Sequence, residues 1–200
     1  AQPTPVLLPA GLTTGRDITG VNLFENVRKQ GALNLDGQSW AEVHDNASLD
    51  VTTGVSLETW IYWDDSIDKG ILGKWHTGSN ERVHLLYKWA SNRFRFYLSN
   101  NGSTQQYQAN LTAISEGWNH IVGTFDGTNL ITYLNGSTDG SSAATFSLLD
   151  TNDKKTEIGR YGETISYSYP NAIAQPRIYN RALTAEEVQR NYNAGKNIYS

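Results

Sequence analysis

Apolar and polar residues alternate in short stretches along most of the chain, and turn-forming dipeptides separate the stretches. The strongest stretch, Val55–Trp63, is dense in β-branched and aromatic residues and is too short for a typical helix. Similar stretches at residues 118–125 and 130–134 are each followed by an Asp-Gly or Asn-Gly pair, which favours a tight hairpin turn. Short strands with frequent turns are typical of a sandwich or a barrel, so the pattern predicts an all-β domain.

Residues 82–88 and 93–99 predict a hairpin with a short connection. Because successive side chains of a strand point to opposite sides, the alternation separates an apolar face from a polar one. We expect the apolar face to carry Val83, Leu85, Tyr87, Phe94, Phe96 and Leu98, and the polar face to carry Arg82, His84, Arg95 and Tyr97.

One helix is predicted near the end of the chain. Thr184 and Glu187 have the spacing of a capping box. In this motif the two side chains accept hydrogen bonds from free backbone N–H groups at the start of the helix. The helical pattern continues to Tyr192, and Gly195 is a suitable end.

The first part of the chain lacks the strand pattern. Residues 1–30 contain Pro3, Pro5 and Pro9, which cannot donate ladder hydrogen bonds, so we expect an irregular lead-in packed on the domain. Residues 31–200 show no internal repeat and no linker-like tract. They are predicted to form one two-sheet antiparallel sandwich with one short C-terminal helix.

Composition and charge narrow the function classes. The chain has 200 residues and a net charge of −4, whereas nucleic-acid-binding domains usually carry a clustered basic excess. No apolar run approaches the roughly 20 residues that span a bilayer. No cysteine is present for disulfides or thiolate metal sites. We therefore expect neither nucleic-acid partners nor membrane insertion.

Several motifs occur in a fixed order between residues 32 and 193. They are Leu35-Asp36-Gly37, Trp40-Ala41-Glu42-Val43, residues 55–61, residues 117–127, Ile158-Gly159-Arg160 and residues 177–188. Together they resemble the laminin G-like jelly rolls of the concanavalin A-like lectin/glucanase superfamily. The resemblance implies a jelly-roll sandwich. The ending at residues 187–193 is similar to copies in phage virion proteins and large bacterial surface proteins, which implies an extracellular or virion-surface location.

Some members of this superfamily cleave polysaccharides, so a catalytic pair has to be considered. Glycoside hydrolysis uses two carboxylates that face one cleft. Here Glu58 has no acidic residue two positions away, and Asp64 and Asp65 lie in a predicted turn. We therefore assign no catalytic residues, while a lyase-like reaction with His84 and Tyr97 as acid and base remains an alternative.

Aromatic residues beside polar ones are the expected elements of a sugar site, because rings stack on the apolar faces of sugars and polar groups bind the hydroxyls. Residues 74–82 and 161–171 are predicted loops of this kind, and Trp75 and Tyr167 are the expected exposed rings. With the polar face of the hairpin they give the candidate ligand-binding residues Trp75, His76, Asn80, Arg82, His84, Trp89, Arg95, Tyr97, Tyr161, Tyr167 and Tyr169.

Many relatives in the family that the chain resembles bind calcium, which implies calcium as a candidate cofactor. Residues 44–50 and 150–153 are oxygen-rich turns of the kind that calcium uses, and they are also ordinary Asx turns. Several relatives carry an acidic residue just before the segment that starts at Arg177, where this chain has Ala174-Gln175-Pro176. No ligand set is therefore assigned.

Together, these features predict a non-catalytic carbohydrate-binding or adhesion module of an extracellular or virion-surface protein, with a glycan or polysaccharide as its partner. Two alternatives remain open. One is a polysaccharide-cleaving enzyme, and the other is a structural assembly domain that contacts protein partners in a phage or surface particle.

Overall fold

The computed structural model describes residues 13–14, 31–64, 68–77 and 81–199. Apart from Thr13 and Thr14, the predicted lead-in lies outside these residues. Within the described residues the chain forms thirteen strands and one α-helix: β1 (Thr13–Thr14), β2 (Ala32–Asn34), β3 (Ala41–Val43), β4 (Val55–Trp63), β5 (Lys69–Trp75), β6 (Arg82–Trp89), β7 (Arg93–Ser99), β8 (Gln105–Ala109), β9 (Gly117–Phe125), β10 (Asn129–Leu134), β11 (Ser137–Ala143), β12 (Thr156–Ile158), β13 (Ala172–Tyr179) and α1 (Ala185–Tyr199).

The strands form two antiparallel sheets. One sheet has seven strands in the order β1-β3-β12-β5-β6-β7-β8, and the other has six in the order β11-β10-β9-β4-β13-β2. At the centre of the six-stranded sheet, β4 pairs with β9 on one side and with β13 on the other. The predicted two-sheet antiparallel jelly roll is therefore confirmed.

The main core lies between the two sheets. Leu57 and Ile61 of β4 are fully buried in one cluster with Phe96 of β7. Burial of each such side chain is worth about 1.5–3 kcal/mol relative to exposure. Gly123 of β9 allows the two sheets to approach closely, because a Cβ at this position would lie 2.3 Å from Cγ of Phe96. The alternation of β4 thus directs Leu57 and Ile61 towards the opposite sheet.

Helix α1 packs on the outer face of the six-stranded sheet. Its capping box forms as predicted: the backbone N of Glu187 donates to Thr184 Oγ1 at 3.3 Å, and the backbone N of Thr184 donates to Glu187 Oε2 at 3.0 Å. The helix continues to Tyr199, past its predicted end. Gly195 does not end the helix, because it packs against Trp60, where a Cβ would lie 2.5 Å from the indole Nε1.

The edge strand β8 is tied to the opposite sheet by one side chain. The amide nitrogen of Gln106 donates to the carbonyl of Ala143 at 2.7 Å, at the end of β11. Its amide oxygen accepts from the backbone N of Thr145 at 2.8 Å and from Oγ1 of the same residue at 3.0 Å. This side chain thus joins the edge strand of one sheet to the residues that follow β11 in the other.

Strands β5, β8 and β11 were not predicted from the sequence. Strand β5 contains Gly70 and Gly73, which weaken the strand pattern. Both glycines are needed where backbones approach closely, since a Cβ on Gly73 would lie 2.4 Å from the carbonyl oxygen of His84. Trp75 stands at the end of this strand and not in a polar loop. Its predicted exposure is wrong, because the side chain packs against the neighbouring rings and is 5% exposed.

Candidate functional site

The outer face of the seven-stranded sheet carries a cluster of rings that is separate from the main core. Three of its members are buried, and three more pack against them while partly exposed. We call this set the aromatic face; it consists of Trp75, Leu85, Tyr87, Trp89, Tyr97 and Tyr161.

A bulge in β6 determines which residues reach the aromatic face. The pairing between β5 and β6 shifts by one residue at the end of β5, and Val83 is the extra residue, with its side chain in the core. Leu85 and Tyr87 therefore point outward, although the simple alternation predicted that they point inward. For the same reason His84 points inward, and its predicted place on the exposed polar face is wrong.

Neighbouring rings of the aromatic face fix one another. Tyr87 makes edge-to-face contacts with Tyr97, at a centroid distance of 6.0 Å, and with Tyr161, at 5.3 Å. Trp75 lies 5.6 Å from Tyr97, and Tyr161 stacks on Tyr167 at 4.3 Å. Such contacts are favourable and directional, so the rings form an ordered surface.

A pocket of about 240 Å³ opens in the aromatic face. This volume is somewhat below the roughly 300–1,000 Å³ of sites for drug-sized ligands, so the pocket suits a ligand of about one ring. Its walls combine aromatic rings with a hydroxyl, an amide and a guanidinium. The lining residues are Trp75, Thr77, Arg82, Leu85, Tyr87, Trp89, Tyr97, Gln105 and Tyr161.

The pocket lining combines one charged side chain with tyrosine hydroxyls. Among its described lining residues Arg82 carries the only charge. The hydroxyl of Tyr87 donates to Asp68 Oδ1 at 3.0 Å. Burial raises the pKa of Tyr87 well above its usual value, and the neighbouring Tyr161 and Asp68 raise it further. Burial likewise raises the pKa of Tyr161, so both hydroxyls stay protonated and can take part in hydrogen bonds.

Arg95 is a second cation beside the pocket. Its Cζ lies 3.8 Å from the ring centroid of Trp89 and 4.2 Å from that of Tyr107. Its Nη1 donates to the hydroxyl of Tyr97 at 2.8 Å. In the part of the chain that the structure describes, no carboxylate pairs with it. Arg95 thus fixes two pocket rings, Trp89 and Tyr97, and adds positive charge next to them.

Three predicted ligand-binding residues lie away from the aromatic face. His84 is fully buried, and its ring nitrogens have no hydrogen-bond partner within the described residues. Burial lowers the pKa of His84 to about 3, with a contribution from the charge of Lys74, so the ring is neutral. His76 is 3% exposed and its Nε2 contacts a backbone carbonyl. Tyr169 is fully buried in the main core, where its hydroxyl donates to the carbonyl of Tyr62.

Most of the other predicted residues either line the pocket or contact its lining residues. Arg95 and Tyr167 contact pocket rings without lining the pocket, and Asn80 lies outside the described residues. Four further lining residues were not predicted from the sequence: Thr77, Leu85, Tyr87 and Gln105. Gln105 belongs to β8, whose polar sequence gave no strand signal. The predicted residues that do line the pocket are Trp75, Arg82, Trp89, Tyr97 and Tyr161.

Glu58 lies on the other sheet, beneath α1. Its Oε1 accepts from His120 Nε2 at 2.8 Å, and its Oε2 accepts from the hydroxyl of Tyr179 at 2.7 Å. Nη1 of Arg177 and Nδ2 of Asn191 also donate to Oε2. Burial tends to raise the pKa of Glu58, but His120 and the other partners outweigh it and hold the pKa below its usual value. Glu58 is therefore ionised and holds α1 through its hydrogen bond with Asn191. None of its hydrogen-bond partners within the described residues is a second carboxylate.

Two carboxylates face each other in register on the outer side of the seven-stranded sheet, Glu42 of β3 and Glu157 of β12. Glu157 is 1% exposed and accepts from Arg160 Nε at 2.7 Å. Glu42 is 7% exposed and accepts from Lys155 Nζ at 2.8 Å. Because each carboxylate is held by its own cation, neither is placed as a free acid or nucleophile.

The oxygen-rich turn at residues 44–50 holds a side-chain cation. Nζ of Lys74 lies 2.6 Å from Asp45 Oδ1 and 2.8 Å from Asp50 Oδ1, and the lysine side chain is 1% exposed. Across the described ranges, no group of three or more histidine, aspartate or glutamate side chains is arranged to hold a metal ion. Calcium binding stays a prediction, and this turn already uses two carboxylates to bind an ammonium.

The described helix is neither long enough nor apolar enough to cross a membrane.

Comparisons with solved structures agree with this architecture. The receptor binding domain of botulinum neurotoxin mosaic serotype C/D matches with a TM-score of 0.70 at 14% identity, over 92% of this chain and 45% of that chain. The binding domain of Paraclostridial Mosquitocidal Protein 1 matches with a TM-score of 0.66 at 16% identity, over 92% and 46%. The binding domain of botulinum neurotoxin DC, solved in complex with SialylT, matches with a TM-score of 0.62 at 14% identity, over 84% and 45%. The chain spans less than half the length of these structures, and identities this low show a common fold only.

Comparison with curated protein sequences finds no significant match. A family model of the laminin G type, described as the concanavalin A-like lectin/glucanases superfamily, matches residues 35–189. This match covers well over half of the chain and includes the motif strands β4, β9 and β13. The chain therefore belongs to the concanavalin A-like lectin/glucanase superfamily.

Proposed function

We propose that the chain is a non-catalytic carbohydrate-binding module and that the pocket in the aromatic face is its ligand site. The main support is the ordered set of rings on one face of a sheet, with a hydroxyl, an amide and a guanidinium among them. Rings take the apolar face of a pyranose, and polar groups bind its hydroxyls. Further support comes from the structural neighbours, which are receptor-binding or binding domains, one of them in complex with SialylT.

A glycan array with the purified chain tests this function. The key variant is Tyr161→Ala, which removes a partly exposed ring from the pocket. Its matched control is Tyr62→Ala, a partly exposed tyrosine of the six-stranded sheet that packs on Trp118. Thermal unfolding of both variants checks that they are folded.

We expect the parent chain to bind glycans on the array. Tyr161→Ala should weaken this binding by about tenfold, which corresponds to roughly 1.4 kcal/mol, and Tyr62→Ala should leave it unchanged. Equal binding by the two variants would remove the pocket from the function. An empty array would favour the assembly-domain alternative, in which the aromatic face contacts protein partners. A stable oligomer with this face buried between subunits would be direct support for that alternative.

The polysaccharide-cleaving alternative has less support. No carboxylate lines the pocket among the described residues, and the acids outside it that come closest to a catalytic arrangement are each held by a cation. The pair proposed for a lyase, His84 and Tyr97, lies on opposite sides of the sheet. Release of unsaturated uronate, followed by ultraviolet absorbance, would nevertheless revive this alternative.

A module that binds glycans acts where glycans are displayed. We therefore place it on an extracellular or virion-surface protein. Labelling of the parent protein on intact cells or particles with an antibody against this domain tests the location, and a signal that requires permeabilisation would contradict it.

A further inference from the structure

Arg82 is placed to bind a group on the ligand. It stands at the start of β6 opposite Trp75 and lines the pocket, with its Cζ 5.9 Å from the Trp75 ring. Its Nη1 donates to the backbone carbonyl of Ser103 at 3.0 Å, which fixes one arm of the guanidinium. A guanidinium has five N–H donors, and within the described residues the others have no protein acceptor. They are therefore available to a group on the ligand.

The protein does not neutralise this charge within the described residues. The adjacent acid, Glu81, pairs with Lys154 at 2.9 Å instead of with Arg82. The pocket lining contains no carboxylate, and the nearby cation Arg95 has no ion-pair partner within the described ranges. Within the described residues, two arginines without carboxylate partners thus lie at one aromatic surface. The chain as a whole is acidic, with a net charge of −4.

Thr77 and Gln105 supply neutral polar groups in the same pocket. A hydroxyl and an amide bind the hydroxyls of a sugar, whereas the N–H groups of a guanidinium match a pair of oxygens on a carboxylate or a sulfate group. The lining therefore contains a partner for each part of a charged sugar: rings for its apolar face, polar groups for its hydroxyls and Arg82 for its anion.

We propose that the ligand of the pocket is an acidic sugar, whose carboxylate or sulfate group is bound by Arg82 next to the Trp75 ring. This inference rests on the proposed function, since it assumes that the pocket binds a glycan. It adds the chemical class of the ligand and the residue that selects for it. Neutral sugars lack an anion to satisfy Arg82, and the pocket favours the acidic form for this reason.

The test uses an array that contains carboxylated and sulfated glycans together with their neutral counterparts. We expect hits among the acidic glycans and much weaker signals for the matched neutral ones. Carboxylated and sulfated probes are scored separately, which distinguishes the two sources of the anion. Hits of equal strength for neutral counterparts would overturn this inference but not the proposed function, whereas a blank array would overturn both.

The strongest acidic hit is then titrated by isothermal calorimetry against the parent chain, Arg82→Gln and Arg190→Gln. Arg190 is an exposed arginine of α1 on the opposite sheet, so its variant has the same charge change away from the pocket. We expect Arg82→Gln to weaken binding by about tenfold or more, as for loss of a charge-assisted hydrogen bond, and Arg190→Gln to have no effect. Affinity of the parent should also fall as sodium chloride is raised. Equal affinities of the two variants for the acidic ligand would overturn the role of Arg82.

Discussion

Replacement of Lys74 by methionine tests whether the turn at residues 44–50 depends on a side-chain cation. The ammonium contacts Asp45 and Asp50 at 2.6 and 2.8 Å, and the lysine side chain is almost completely removed from water. Methionine keeps much of the apolar stem. It leaves two carboxylates near each other without the cation between them.

The size of the effect follows from burial. Loss of one partner of a buried ion pair costs about 3–5 kcal/mol. The side chains of Asp45 and Asp50 are 35% and 32% exposed, so water recovers part of their solvation. We therefore expect the lower end, about 3 kcal/mol. For a chain of this length the corresponding fall in Tm is roughly 6–12 °C.

Urea unfolding followed by tryptophan fluorescence measures this change in the free energy of unfolding. The midpoint should fall while the m-value stays constant, which indicates lost stability without a change in compactness. Lys196→Met, at an exposed position of α1, is the matched control and should change the free energy by less than about 0.5 kcal/mol. A loss in Lys74→Met no larger than that of the control would show that the ammonium does not hold the turn.

Calcium should raise the Tm of the Lys74→Met variant more than that of the parent chain, because the ion and the ammonium compete for the same carboxylate oxygens; equal shifts in calorimetry would argue against this competition. Burial and the charge of Lys74 lower the pKa of His84 from 6.5 to about 3 in the folded chain. Between these two pH values only the unfolded chain takes up a proton at this residue. Stability should therefore fall as the pH drops from 6.5 towards 3, by at most about 1.4 kcal/mol per pH unit, and His84→Leu should flatten this slope while the exposed His44→Leu does not. Gly195→Ala should destabilise the chain by about 1–3 kcal/mol although alanine is the better helix former, because its Cβ would lie 2.5 Å from Trp60 Nε1; an increase in Tm would mean that the helix can shift.

Local sequence signals predicted the parts of the fold that depend on nearby residues. The nine residues of β4 and the capping box of Thr184 and Glu187 appear in the structure where the pattern placed them. Each depends on alternation or on spacing within one element. The arrangement of strands that are distant in sequence was predicted instead from the order of the family motifs.

The candidate site was predicted only in part, because it depends on a register that the alternation does not reveal. One extra residue, Val83, reverses the sides of the residues that follow it in β6. Tyr87 consequently belongs to the pocket, and His84 belongs to the interior. Gln105 reaches the pocket from β8 only through pairing across β7, which no local pattern encodes.

The separation of the aromatic face from the main core affects how readily the proposed ligand site can change. Residues such as Leu57 and Phe96 hold the two sheets together, whereas the pocket rings pack chiefly against one another on the far side of one sheet. Substitutions at Thr77, Gln105 and Trp89 can therefore alter the pocket while the interior stays intact. Selection from a library that is randomised at these positions should change the ligand preference of the proposed sugar site without loss of expression.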